Sequence, residues 1–270
     1  MITIMPSGRL GNHLFQFAFG LAISKKLKTD FIFDTREIEE FFELPRYNNP
    51  VLKMIRTLRY MLSLKLNYYE SLDLNKDVKP ADIINQVSNN TVLYGYFQSP
   101  EFFIGHEHLV KKEYKIKRAY TDEFEAKYAD LFAKPVVCIA VRVSDYPTWK
   151  IDEIDGNTPE LDLNYFKNAL KQVPDLASKN IIIISEDLDS VKKHLDIQNA
   201  TYIAPAVDQL ISLMRSDYLI ISNSTFQWWG AWLNDKPGKI VYAPKYWLGH
   251  KVKREYPQNI IPAGWVQLEA

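Results

Sequence analysis

The sequence predicts an α/β fold whose parallel sheets are covered by helices on both faces. Three observations predict it. Apolar, β-branched runs such as Ile181-Ile182-Ile183-Ile184 and Val136-Val137-Cys138-Ile139-Ala140 carry no polar alternation, the pattern of strands buried on two sides. In the second half these runs alternate with stretches of helical periodicity, as in a doubly wound sheet. The 270 residues suffice for two such domains of about 130 residues each. Lys134-Pro135 offers the break, giving 1–134 and 135–270.

In chain order, 2–5 and 31–33 read as short buried strands around a helix over 11–27, in which Leu14, Phe15, Ala18, Leu21 and Ala22 share one face. The pattern loosens between 44 and 87, where helices are expected over 49–64 and within 71–86. A strand over 91–96 leads to Ser99-Pro100, an N-cap with proline at the first helical position. A helix near 122–133 follows. Strands at 136–142, 180–185, 200–203, 217–222 and 239–243 then alternate with helices at 163–172, 188–195, 207–215 and 226–234.

Lys+Arg and Asp+Glu both total 33, so overall charge gives no reason to expect nucleic acid or an anionic membrane as the main partner. A small ligand is expected instead. The lone cysteine, Cys138, sits in an apolar run and has no intrachain partner, which fits a reducing, cytoplasmic location. Residues 1–6 carry no basic leader, and the apolar region 14–23 is too short to span a bilayer. The five histidines show no zinc-type spacing, and His106 and His108 read as solvent-facing loop residues, so no metal site is expected.

Ligands of doubly wound sheets bind beyond the carboxyl ends of the strands, so post-strand residues are the candidates. Ser222-Asn223-Ser224-Thr225-Phe226 follows Tyr218-Leu219-Ile220-Ile221 and opens an aromatic-rich helix. Hydroxyls, backbone N–H groups and the positive helix end there make a seat for phosphate. The alternative is that Ser222 or Asn223 is an ordinary N-cap and the Trp residues are core. Arg142, just past the strand through Cys138, offers two parallel hydrogen bonds to a phosphate. Ser185-Glu186-Asp187 follows the Ile run, where a carboxylate can accept from a ribose hydroxyl or a guanine edge, and Asp208 is expected to cap the helix carrying Met214.

Together these residues read as a cradle for a nucleoside diphosphate, although Ser185, Asp187 and Asp208 are equally ordinary N-cap types. No Gly-x-Gly-x-x-Gly or Walker loop is present. Asp187-Leu188-Asp189 formally matches a metal-holding Asp-x-Asp, but acidic residues belong in a helix's first turn anyway. An Arg and a helix N-terminus can carry the departing charge. In the N-terminal half, Ser7-Gly8-Arg9-Leu10-Gly11-Asn12-His13 allows a tight turn that leaves Asn12 and His13 facing a ligand; alternatively, Gly8 and Gly11 only let strand and helix pack.

Taken together, Gly8 to Ala18, Tyr94-Gly95-Tyr96-Phe97-Gln98-Ser99, Ser222 to Asn234 and Ala243-Pro244-Lys245-Tyr246-Trp247 resemble, in order, four motifs of the bacterial α-1,2-fucosyltransferases of glycosyltransferase family 11. The resemblance implies a glycosyltransferase B fold, two Rossmann-like α/β domains with a cleft between them. GDP-fucose would bind in the C-terminal half as donor substrate, and a galactoside acceptor would face the N-terminal half. It further implies inversion by direct displacement without metal or cofactor, in the synthesis of bacterial surface glycans, and leaves room for peripheral association with the inner membrane face. Arg142 would then contact the diphosphate, Ser224 and Thr225 would hold phosphate, and Asn12 would sit beside the reacting centre.

The family's His-x-Arg-Arg-x-Asp-Tyr stands here as Ala140-Val141-Arg142-Val143-Ser144-Asp145-Tyr146, without the His and the second Arg. His13 replaces the usual Gln. Asp145 is the first candidate base, followed by His13 and Glu186; alternatively, Asp145 only orients Arg142. Two further readings stay open. One is a nucleotide- or carbohydrate-binding protein that lost turnover with the changes at 140 and 143. The other is transfer of another sugar or formation of another linkage.

Overall fold

Apolar runs and helical stripes sort into two parallel sheets, each within its own compact unit, Met1–Lys117 and Arg118–Ala270. The structure, a computed structural model, describes residues 1–65, 70–73, 79–143 and 146–270.

The first unit runs β1 (Ile2–Ile4), α1 (Leu10–Lys26), β2 (Phe31–Ile32), α2 (Arg36–Phe41), α3 (Pro50–Lys65), β3 (Glu70–Asp73), α4 (Pro80–Gln86), β4 (Thr91–Tyr94) and α5 (Glu107–Glu113). Its sheet has the order β2-β1-β4-β3, parallel throughout. Phe15, Phe17 and Phe19 of α1 are fully buried, with Phe17 edge-on to Tyr47 and Phe31 at 4.9 and 5.4 Å between ring centroids. Gly20 lets α1 sit close on β2, because a Cβ there would lie 2.5 Å from the Phe31 ring. Ser99 caps a short 3-10 turn, its side chain accepting from Glu101 N, with Pro100 first in the turn as expected.

The second unit runs α6 (Arg118–Tyr128), β5 (Val136–Ala140), α7 (Leu163–Lys171), β6 (Asn180–Ile184), α8 (Leu188–His194), β7 (Ala200–Ile203), α9 (Ala206–Arg215), β8 (Tyr218–Ile221), α10 (Thr225–Leu233), β9 (Ile240–Pro244) and β10 (Val266–Leu268). Its parallel sheet has the order β10-β9-β8-β5-β6-β7. The chain moves outward from β5 through β6 to β7, then returns to lay β8 on the other side of β5. That reversal opens a crevice between the β5 and β8 tips, where ligands of such sheets bind.

One face of the sheet buries Val137, Ile139 and Val141 against Tyr165, Phe166 and Val191. Trp228 and Trp229 of α10 are fully buried as well. Gly230 brings α10 close to α9, since a Cβ there would meet Leu213 Cδ1 at 2.5 Å. Cys138 is buried in β5, and burial pushes its thiol up to about 12.

Several features differ from the sequence expectation, among them His106 and His108, which stand at the N-cap and inside α5 rather than in a loop. The units part at Lys117/Arg118 rather than at Lys134-Pro135, because α6 packs on α9, where Arg215 pairs with Glu125 and lies over the Phe124 ring at 5.8 Å. Residues 70–73 form a strand where a helix was expected within 71–86, and among the described residues of that range Pro80–Gln86 is the helical part. β10 was not anticipated. β3 and β10 are both edge strands of their sheets.

Candidate functional site

Ala140 pairs with Ile221 across β5 and β8, and Ser222 N donates to Ala140 O at 3.1 Å. The backbone leading to Arg142 and the backbone leading to α10 therefore leave adjacent strands, about 4.8 Å apart. The Arg142 guanidinium lies over the Tyr146 ring, 4.7 Å from its centroid. The Tyr146 hydroxyl donates to Asn223 O at 2.8 Å. One buried tyrosine thus supports the cation and ties it to the loop that starts α10.

Val143, just past the end of β5, packs on the same hydrophobic cluster as Val137, Ile139 and Val141. The lost second Arg of the family motif falls on a core-facing position. Val143 N donates to Glu186 Oε1 at 3.0 Å, which places the Glu186 carboxylate against the turn after β5.

Ser224 is the N-cap of α10 and makes no side-chain capping bond, and the first turn holds no acidic residue. The positive end of the helix is therefore not neutralised by side chains of its own first turn. The neighbouring residues are fasteners. Ser222 donates through N and Oγ to Gln227 Oε1 at 2.8 and 2.7 Å. Asn223 Nδ2 donates to Pro159 O at 2.8 Å and to Trp247 O at 3.4 Å, while its buried Oδ1 has no hydrogen-bond partner. Thr225 and Phe226, the first two residues of α10, are half-buried.

Asp208 is not the cap of α9. Pro205 holds that position and Asp208 lies in the first turn, because a proline accommodates the extended backbone of the cap. The Asp208 side chain is buried with Oδ2 unpartnered. Burial raises its carboxyl above the ordinary aspartate range, with the Lys127 ammonium opposing. Beside it, Gln209 Nε2 donates to Ser185 O at 2.9 Å and to Ala204 O at 2.8 Å, closing the β6 and β7 tips onto α9. Ser185 Oγ accepts from Asp187 N at 3.1 Å, and Asp187 caps α8 by accepting from Ser190 N at 2.9 Å. Asp187 therefore takes the capping role the sequence left open, and Ser185 closes the turn before it. Asp145, the first candidate base, lies outside the described residues, as does Ser144.

In the first unit, the tips of the paired strands β1 and β4 are laced by amide side chains. Gln16 accepts from Ser7 N at 3.2 Å and donates to Gly95 O at 2.8 Å, and Gln98 Nε2 donates to Asn12 Oδ1 at 2.8 Å. Gly8 adopts φ +84, and a Cβ there would lie 2.0 Å from Asn12 Nδ2, so the turn admits Asn12 only because residue 8 is glycine. His13 points elsewhere. It is buried, edge-on to Phe33 at 5.8 Å, with Nδ1 3.3 Å from Glu37 Oε2 but out of hydrogen-bond alignment.

Sequence reasoning singled out none of Gln16, Gln98, Gln209 and Gln227 as a tie between strand tips and helix starts. Two of them, Gln16 and Gln227, stand among apolar residues of a helix, in Leu-Phe-Gln-Phe and Phe-Gln-Trp, and a polar amide in such a setting signals a buried hydrogen bond. Among the described residues, no group of three or more His, Cys, Asp or Glu is arranged to hold a metal ion.

The profile of the family described as Glycosyl transferase family 11 matches residues 1–269. The chain belongs to glycosyltransferase family 11. Its relatives include the O-antigen biosynthesis glycosyltransferase WbnK of Escherichia coli, 26% identical over 97% of this chain and 98% of that one. An alpha-1,2-colitosyltransferase of Escherichia coli is 22% identical over 100% and 99%. Among solved structures, the alpha-1,6-fucosyltransferase NodZ of Bradyrhizobium, soaked with GDP-fucose, is similar over 86% of this chain and 92% of that one, with TM-score 0.51 and 13% identity. This family 11 chain is a glycosyltransferase with the two parallel α/β units of the B type. No helix among the described residues is long and apolar enough to cross a membrane.

Proposed function

We propose that the protein transfers L-fucose from GDP-fucose to a galactoside hydroxyl, forming an α-1,2 linkage with inversion, in the synthesis of a bacterial surface glycan on the cytoplasmic side. The observation that carries the donor half is the Arg142–Tyr146–Asn223 connection across the β5 and β8 tips. As the acceptor oxygen bonds to the anomeric carbon, the bond from that carbon to the β-phosphate oxygen breaks and its electron pair goes to GDP. Arg142 and the start of α10 meet that charge, with Ser224 and Thr225 beside the phosphate, in the manner of a preorganised anion hole and without a resident metal or cofactor. The acceptor's proton goes to a base, for which Asp145 is the first candidate. Glu186 already accepts from Val143 N, and His13 is buried beside Phe33 with Nδ1 near Glu37. Asn12, oriented by Gln98, holds the acceptor hydroxyl.

Asp208 supplies base recognition. A guanine edge presents two adjacent donors, and a buried carboxylate oxygen without a partner is the acceptor such an edge satisfies. The colitosyltransferase relative favours a second donor reading, since colitose is fucose without its 3-hydroxyl. A site that bonds this hydroxyl discriminates strongly against the sugar lacking it.

The test is transfer from GDP-fucose and GDP-colitose to galactose-terminated glycans, with Arg142→Ala as control and the linkage read by NMR. Fucose on the 2-hydroxyl, lost in the control, is expected. Tight GDP binding with no transfer from either donor would leave a binding protein in place of an enzyme. Preferential use of GDP-colitose would reassign the donor.

A further inference from the structure

Helix α3 carries its apolar residues on the outside. At 3.6 residues per turn, Val51, Met54, Ile55, Leu58, Met61 and Leu62 fall within an arc of about 120°. All six are exposed, from 37% at Ile55 to 62% at Leu62. The helix is held to its unit from another side. Arg56, on the face opposite the stripe, reaches Tyr47 O and stacks over the Tyr47 ring at 3.9 Å, and Arg59, flanking the stripe, pairs with Asp30. A soluble helix buries its stripe and shows water its charges; α3 does the reverse.

Charge identifies what covers the stripe. The helix holds Lys53, Arg56, Arg59 and Lys65 and no acidic residue. The Arg59–Asp30 pair sets it beside the junction of α1 and β2, where Lys25 and Lys26 at the end of α1 and Lys28 in the turn are exposed. A second copy of the same face would bring these like charges together. It would also offer a single helix about 24 Å long, a small footprint beside the ~800 Å² per partner of a stable interface. We infer that α3 is a membrane-surface anchor, lying with its apolar stripe in the acyl boundary of an anionic phospholipid bilayer while the lysines meet the headgroups. The inference is independent of the donor and acceptor readings.

The test is co-sedimentation of the full chain with vesicles of phosphatidylglycerol mixed with phosphatidylcholine, and with vesicles of phosphatidylcholine alone. Binding to the anionic vesicles that weakens as salt is raised is expected. Leu58→Glu combined with Met61→Glu should cut it at least about tenfold, and Lys53→Glu should cut it by a smaller factor. Because these side chains are exposed, transfer to a soluble acceptor and the melting temperature should stay as in the unmodified protein, which separates lost anchoring from lost folding. Absence of binding to the anionic vesicles, or equal binding by the double variant, would overturn the inference. So would a dimer in sedimentation velocity that the double variant dissolves, since the stripe would then belong to a second copy.

Discussion

At the β5 and β8 tips the polar groups are a guanidinium and the open start of α10. At the β1 and β4 tips they include three neutral amides, Gln98 donating to Asn12 and Gln16 bonded to the backbones of Ser7 and Gly95. Both pairs of tips sit where a parallel sheet places a central strand beside one that is not its immediate successor. The topology is shared and the chemistry is not. A cation beside a helix N-terminus suits a diphosphate whose charge grows as a bond breaks. A neutral, cross-braced amide set suits hydroxyls, which need orientation more than charge. The difference teaches that the parallel sheet supplies the position and a few post-strand side chains supply the division of labour.

Arg142→Ala is the largest disturbance of that contrast. It should weaken GDP binding by about 1.5–3 kcal/mol in calorimetry, and lower transfer by about a hundredfold or more. Gln98→Ala should leave GDP affinity unchanged and raise the acceptor KM. A loss of GDP affinity in the Gln98 variant would break the comparison.

Gly8→Ala comes next. With φ +84 and Asn12 Nδ2 in the way, it should cost about 1–3 kcal/mol in thermal or denaturant unfolding and reduce transfer while GDP binding holds. Unchanged stability would mean the turn relaxes without displacing Asn12.

Asp208→Asn sharpens the contrast within the second unit. Burial raises the Asp208 carboxyl, so the stability it contributes is present below the ordinary aspartate pKa and lost as pH rises through the folded value. The Asn variant, which does not titrate, should gain in melting temperature relative to the unmodified protein as pH rises and lose that gain in acid. GDP affinity should nevertheless fall by about tenfold, because a charged acceptor is lost. A variant that melts lower and binds GDP normally would assign Asp208 to the contact between α6 and α9.

The smallest effect is expected from Tyr146→Phe, which keeps the ring under Arg142 and removes the bond to Asn223 O. Roughly 1 kcal/mol, or about fivefold in GDP affinity, is at stake.

The second unit was legible in the sequence because its central strands are unbroken apolar runs, which only a doubly covered strand tolerates. The edge strands were not. Glu70-Ser71-Leu72-Asp73 and Val266-Gln267-Leu268 are short and mixed in polarity, as edges are, and their pairing is visible only once the neighbouring strand is placed. Arg142 and the start of α10 could be singled out as candidate phosphate-binding groups from residue type and position. The ties that bring them together could not, since Tyr146 to Asn223 spans 77 residues of sequence. A helix start was legible near Asp208, but its cap was not, since Pro205 has no capping side chain. Net charge is silent on local clustering. A formal balance of zero conceals that α3 gathers four basic residues and no acidic one beside an exposed apolar stripe.

The most direct measurement is a crystal structure of the protein with GDP. The account predicts the β-phosphate oxygens within hydrogen-bond distance of both the Arg142 guanidinium and the backbone N–H groups at the start of α10, with the guanine edge on Asp208. A diphosphate bound away from the β5 and β8 tips, or one met by only one of those two groups, would contradict it.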